Sequence, residues 1–296
     1  MAFRILFVFA ALLTGANAFP VQDPGPVSSP QTGDQKRVLF DRVIDNQKKN
    51  EAALNLFERL ERVESRKTGT ETPDVKVSRV IPAGAGTDKI AMKPDGQPID
   101  PAAYRAELEK LEGALVWSIE EGRAQHDAYD KLAKKQKERA DLIEATRTAF
   151  LYTFASTELR GDHKLLKYRM EPNPAYKPTS RMTAIFSKVR GFVWIDEPAA
   201  ELARVEVEVI DDFSVGGFLA KVYKGSHLMQ ERYEMAPGLW FPSYAQYDFD
   251  GRKLFMSFAI HDRTFYSQYK RVGPPKEALS AIRAELGKPD SAQADR

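Results

Sequence analysis

The chain has 296 residues, no cysteine, and 44 basic against 42 acidic residues for a formal net charge of +2. The missing thiols exclude disulfides, thiolate nucleophiles, thiolate metal sites and a lipidated cysteine, so an exported form must be held by its core. Balanced charge removes the electrostatic case for nucleic acid, while the length is ample for one sizeable core.

The first element is a targeting signal. Arg4, the apolar run Ile5 to Leu13 and the small-residue tripeptide Ala16-Asn17-Ala18 follow one another as in a secretory signal peptide. The run is too short to span a bilayer, which needs about twenty residues. We expect cleavage after Ala18, a mature chain starting at Phe19 without a transmembrane span, and a periplasmic location. Residues 19–36, with Pro20, Pro24, Gly25, Pro26, Pro30 and Gly33, read as a flexible tether.

From Arg37 to Ser65, Leu39, Val43, Ala53, Leu54, Phe57, Leu60 and Val63 recur at three- and four-residue steps, which predicts an amphipathic helix needing a partner surface. Short strands are expected at Val75 to Ile81 and Lys89 to Lys93, with a turn at Asp95-Gly96. Asp100 should cap a helix with Pro101 in its first turn. Helical composition then continues to about Arg147, interrupted near Gly113 and Gly122. This helical insert, about 100–147, is mostly polar, yet Leu111, Leu115, Val116 and Trp117 could form a docking patch for an envelope protein partner.

Beyond Arg147 the apolar period becomes two. Phe150, Tyr152 and Phe154 alternate on one strand, Leu166, Tyr168 and Met170 on the next, and Val205, Val207 and Val209 on a later one. Further strands are expected at Ala220 to Tyr223, His227 to Met235, Trp240 to Phe249, Lys253 to His261 and Thr264 to Arg271, with a turn at Gly216-Gly217. Pro242 points to an edge strand or a late start. Between the early strands, Thr179 to Val189 predicts a short amphipathic helix through Met182, Ile185, Phe186 and Val189. Pro274 and Pro275 open a terminal helix and tail, 275–296. The fold class is therefore α+β: an N-terminal helix, a helical insert, and an antiparallel sheet over about 149–271 with a short helix that can plug or cover a curved sheet. Residues 37–274 are expected to form a single domain.

Several segments carry a family resemblance: Gly191-Phe192-Val193-Trp194-Ile195-Asp196, Gly238-Leu239-Trp240-Phe241-Pro242, Phe265-Tyr266-Ser267-Gln268-Tyr269-Lys270, and Glu171-Pro172-Asn173-Pro174-Ala175-Tyr176. With the helix–meander–helix pattern, they resemble the outer-membrane lipoprotein-sorting (LolA-like) periplasmic carriers. The likeness covers Phe150 to Arg271, and Arg37 to Ser65 loosely. It implies that the curved antiparallel sheet forms an open half-barrel with a short plug or lid helix, whose concave apolar face is covered by a helix or occupied by an acyl chain, the ligand being a lipid or an acylated lipoprotein. Burying about twelve methylenes would contribute on the order of 10 kcal/mol before ordering and lid displacement are subtracted.

Candidate ligand-lining residues are Phe150, Tyr152, Phe154, Tyr168, Met170, Val205, Val207, Val209, Met256 and Phe258; ordinary core residues would show the same stripe. Met182, Ile185 and Phe186 form either a movable lid or a fixed plug. His126, His163, His227 and His261 lack the spacing of a zinc site, and no G-x-S-x-G nucleophile elbow occurs. No metal, cofactor or catalysis is expected. The alternative function is a non-catalytic scaffold or stress sensor that binds a protein through the helical insert.

Overall fold

The computed structural model describes residues 33–67, 71–215, 220–254 and 256–287. The signal peptide, most of the tether, and the Gly216-Gly217 turn lie outside the described residues. The chain forms two compact units, one from residues up to Glu51, Glu64–Asp74 and Arg139–Phe265, the other from Ala52–Val63, Val75–Glu138 and Tyr266 onward.

The first unit begins with helix α1 (Gly33–Leu54), whose last residues belong to the second unit. Leu39, Val43, Ile44, Gln47 and Asn50 are buried along one face, so a single stripe runs from apolar to polar down the helix. The antiparallel strands are β4 (Phe150–Arg160), β5 (His163–Pro172), β6 (Val189–Asp196), β7 (Glu201–Val209), β10 (His227–Ala236), β11 (Leu239–Lys253) and the start of β12 (Met256–Arg271). They lie in the order β4-β5-β6-β7-β10-β11-β12, with β4 ending the path, so the curved sheet is not closed. A short hairpin of β8 (Phe213–Val215) and β9 (Ala220–Val222) pairs through β9 with β11. Strict alternation sets the inner face: Tyr152 faces Met170, Tyr168 faces Val193, Val193 faces Val205, and Val207 faces Leu228.

Two irregularities re-aim side chains. The β6–β7 register shifts at Trp194/Ile195, leaving Ala203 as the extra residue, so Leu202 and Val205 both turn inward although they differ in parity. Pro242 sits inside β11, where the register shifts between Glu231 and Arg232 and skips Ser243. The proline therefore neither ends nor delays the strand, because a bulge relieves the ladder of its missing donor. The expected short helix is a 3₁₀ turn (Thr183–Lys188) leading into β6.

In the second unit, β1 (Phe57–Arg66), β2 (Asp74–Ala83) and β3 (Gly86–Met92) run in the order β3-β2-β1-β12, with the end of β12 completing the path. The expected helix therefore stops at Leu54, and Phe57 onward is strand. Helix-like spacing of Phe57, Leu60 and Val63 misled because Glu58 and Glu61 are buried too, paired with Arg79 and Arg59 at 2.6 Å each.

Helix α2 (Pro101–Ile119) starts as expected, Asp100 accepting from Ala103 N at 2.8 Å, and runs through Gly113 without a break. The break falls at Gly122, after which α3 (Arg123–Ala149) carries the chain back to the first unit. Leu108, Leu111 and Leu115 of α2 pack with Val77, Ile81 and Ile90 and with Ala278 and Ile282 of α4 (Pro275–Glu285). Leu111 and Leu115 are thus core and cannot form a docking patch; of that group only Trp117 is exposed, at 41%. The two strands expected at Lys253 to His261 and Thr264 to Arg271 are one strand, β12.

Candidate functional site

An apolar cavity of about 110 Å³ lies inside the first unit, between the concave sheet face and the segments that cover it. The floor comes from Phe150 and Tyr152 of β4, Met170 of β5, Val193 and Ile195 of β6, and Val205 and Val207 of β7. Phe40, Val43, Ile44 and Gln47 of α1 and Ile143 and Thr146 of α3 form one wall, and Phe186 of the 3₁₀ turn forms another. The aromatic side chains interlock: Phe186 packs on Phe150 with centroids 5.3 Å apart, and Phe40 packs on Tyr152 at 4.3 Å.

Gly191 permits this curvature. It faces Met170 on one side and Val207 on the other, and an added Cβ would lie 1.8 Å from the Glu206 carbonyl oxygen. No side chain fits there without moving β7.

Polar groups in the lining are few: Gln47, Thr146 and the Tyr152 hydroxyl. The Tyr152 hydroxyl donates to the Thr146 carbonyl at 3.2 Å, and burial holds its phenol well above the usual range. The Gln47 amide, oriented with its oxygen toward Arg232, accepts from that guanidinium at 2.8 and 3.2 Å. Arg232 is 1% exposed and pairs with Glu51 of α1 at 3.0 Å. Next to it, Asn50 donates to Glu201 at 2.8 Å and accepts from Trp240 N at 3.2 Å. Asn46 donates to the Ala200 carbonyl at 3.1 Å, and Lys49 to the Gly238 carbonyl at 3.0 Å. The carboxyl half of α1 is therefore clamped to strand ends by hydrogen bonds, while its amino half rests on the cavity.

The 3₁₀ turn is held differently. Thr183 Oγ1 accepts from the backbone N–H groups of Thr179 and Ser180, and Ser180 Oγ accepts from Thr183 N. These bonds are local to the turn, whereas at its end the Lys188 carbonyl accepts from Ile210 N at 2.9 Å and the Lys188 amine donates to Asp211; Ile185 and Phe186 are buried in the first unit's core.

The structure brings most of the expected site residues together. Phe150, Tyr152, Met170, Val205, Val207 and Phe186 line the cavity; Tyr168, Val209 and Ile185 are buried in the surrounding core, and Phe154, Phe258 and Met182 pack against it. Met256 is not part of the group. It pairs with Lys253 at the β11–β12 turn and is 70% exposed, so it lies beyond the covered part of the face. Sequence reasoning missed the α1 and α3 walls as cavity residues, although the stripe through Leu39 and Val43 signalled a covered surface.

Among the described residues no helix is long and apolar enough to cross a membrane, and no cluster of three His, Asp or Glu is placed to hold a metal ion. No protein-family model and no curated protein matches the chain. Solved structures do resemble it. A LolA superfamily protein from Nitrosomonas europaea is 9% identical with a TM-score of 0.32, over 82% of this chain and 96% of that one. A Vibrio parahaemolyticus domain assigned to outer membrane lipoprotein sorting is 9% identical with a TM-score of 0.33, over 82% and 99%. A DUF1329 family protein from Desulfovibrio piger is 7% identical with a TM-score of 0.30, over 79% and 92%. The similarity is therefore to LolA-superfamily, lipoprotein-sorting and DUF1329 structures, at values too low to speak for a ligand.

Proposed function

We propose that the chain is an exported, periplasmic, non-catalytic binding protein that carries a hydrophobic ligand, a lipid or the acyl chain of a lipoprotein, in the cavity of the first unit. The observation that carries this reading is the lining: a concave sheet face and two helices converge on a space bounded almost wholly by apolar side chains.

The volume of about 110 Å³ is small for an acyl chain. A cavity of roughly 150 Å³ takes up benzene, whereas pockets for larger ligands run to about 300–1,000 Å³. An acyl chain therefore enters by displacing side chains that now occupy its place. Phe186 and its 3₁₀ turn are the part to move: the polar bonds of Thr183 are local, the tie to distant chain is confined to the last residue, Lys188, and α1 is tied to β7, β10 and β11 along its whole carboxyl half. In this reading Met182, Ile185 and Phe186 form a lid rather than a plug. Ligand burial is offset by the exposure of Ile185 and Phe186, which keeps binding reversible.

Saturable binding of a dansylated fatty acid, together with lipid seen by native mass spectrometry after purification from a periplasm, is the expected outcome. Val205→Phe fills the space from the sheet side and should weaken probe binding at least about tenfold while the protein stays folded. A lipid-free protein without saturable probe binding, or a Val205→Phe variant that binds like the parent, rejects the proposal.

A further inference from the structure

Strand β10 carries one side chain that its place in the core does not explain. Gln230 is fully buried, and neither its amide oxygen nor its amide nitrogen has a hydrogen-bond partner among the described residues. Its neighbours across the ladder, Val205 of β7 and Ala245 of β11, are apolar, as is Leu228 two residues before it. Leucine or methionine would fill the position without burying two unpaired polar atoms, so folding does not account for a glutamine there.

Register fixes where the amide points. Paired residues of an antiparallel ladder send their side chains to the same face, with Cβ atoms about 5 Å apart. Val205, the partner of Gln230, lines the apolar cavity, and so does Val207, the partner of Leu228. Gln230 therefore stands on the concave face, one strand from the cavity lining and within a side chain's reach of it. Two residues further along β10 is Arg232, and the Gln47 amide that accepts from it also lines the cavity. The unpaired amide thus lies between the apolar space and the polar clamp of α1.

The amide's own chemistry narrows the ligand. It presents one acceptor and donors on the same carbon, side by side. Its complement is a group with that pair reversed, an uncharged carboxyl or a second primary amide. An ester has no donor, and an ionised carboxylate has acceptors only. Enclosure limits size as well: a phosphate headgroup or a polypeptide would have to be taken out of water to reach a residue with no solvent contact. We propose that Gln230 binds the uncharged carboxyl or carboxamide end of a single-chain acyl ligand, which lies with its polar end enclosed. The assignment rests on the cavity being a site for acyl chains, and it selects a free fatty acid or fatty amide over the acyl chain of a lipoprotein.

Displacement of N-phenyl-1-naphthylamine, a probe with neither end group, by dodecanamide, dodecanoic acid and methyl dodecanoate tests this at about pH 5, where an alkanoic acid is partly protonated. In the parent, dodecanamide should bind at least as tightly as the ester, although the ester is the more apolar; the reverse order overturns the assignment without any variant. In Gln230→Met the preference for amide over ester should fall about tenfold, the effect of two lost hydrogen bonds. Tm should hold or rise, because methionine removes an unpaired buried amide. Dodecanoic acid that follows the amide in both proteins supports a fatty acid as the ligand, and acid that follows the ester supports a fatty amide. A preference that is equal in parent and variant, or a variant that loses Tm and keeps the preference, overturns the role of Gln230 and leaves the cavity as a site for apolar chains. A parent that takes up neither the probe nor any of the three chains overturns both.

Discussion

Asn50 and Glu201 show how one buried pair can set a pH dependence. Both are buried, and Asn50 uses its amide toward Glu201 and its carbonyl toward Trp240. Burial pushes the Glu201 carboxyl up to about 7, against the Asn50 hydrogen bond and the charges of Arg232 and Lys49 and with Asp196 adding to the rise. An ordinary glutamate titrates near 4.5. Between those values the folded state holds a proton that the unfolded chain has released. Stability from this group is thus complete below about 4.5, falls as pH rises toward 7, and is flat above. Glu201→Gln should abolish that slope and raise stability by roughly 1–2 kcal/mol at pH 8. Urea unfolding at pH 5 and pH 8 checks it, and an unchanged difference between the two pH values counts against the assignment.

Helix α1 has a stripe that is apolar at Leu39, Val43 and Ile44 and polar at Gln47, Asn50 and Glu51, with one continuous periodicity serving two tasks. The Arg232–Glu51 pair fixes the polar half. Arg232→Met takes from Glu51, 9% exposed, its partner at 3.0 Å and leaves Arg139 at 3.9 Å, and should cost about 3 kcal/mol, whereas Arg232→Met with Glu51→Gln should recover much of it. Thermal unfolding of the two variants measures the difference; equal losses would mean that the pair does not hold the helix. The periodicity of α1 and the alternation of β4, β5 and β7 were legible because apolar side chains mark those faces. The clamp was not, since Gln47, Asn50 and Glu51 read as a solvated face until Arg232, Glu201 and Trp240 arrive from more than a hundred residues away. The same is true of Leu202, which reaches the cavity only through the bulge at Ala203, and of β1, where buried ion pairs imitate a wet surface.

At the scale of the molecule, the second unit is assembled from three separate stretches of chain, and α4 supplies Ala278 and Ile282, and the residue after it Leu286, to its core. Glu285 of α4 also accepts from Arg79 at 2.8 Å and from the Tyr104 hydroxyl at 2.6 Å. Removing residues 274–296 should strip amide protection from α2, Pro101–Ile119, and leave protection in β5 and β6 largely intact. Hydrogen exchange read by mass spectrometry resolves the two regions, and an α2 that stays protected would show that its core closes without α4. Local sequence signals announce most of the helices and strands here, β1 excepted, but not their partition, since the grouping depends on pairings between distant segments.

Strand β12 has a consequence in time. Met256–Phe265 belongs to the first unit and Tyr266–Arg271 to the second, so each lacks a strand until nearly the whole polypeptide has been made. Pairings of such sequence separation form slowly. A nascent chain of this design leaves the ribosome with its sheet unfinished and acquires its native pairing only once the last strand is delivered.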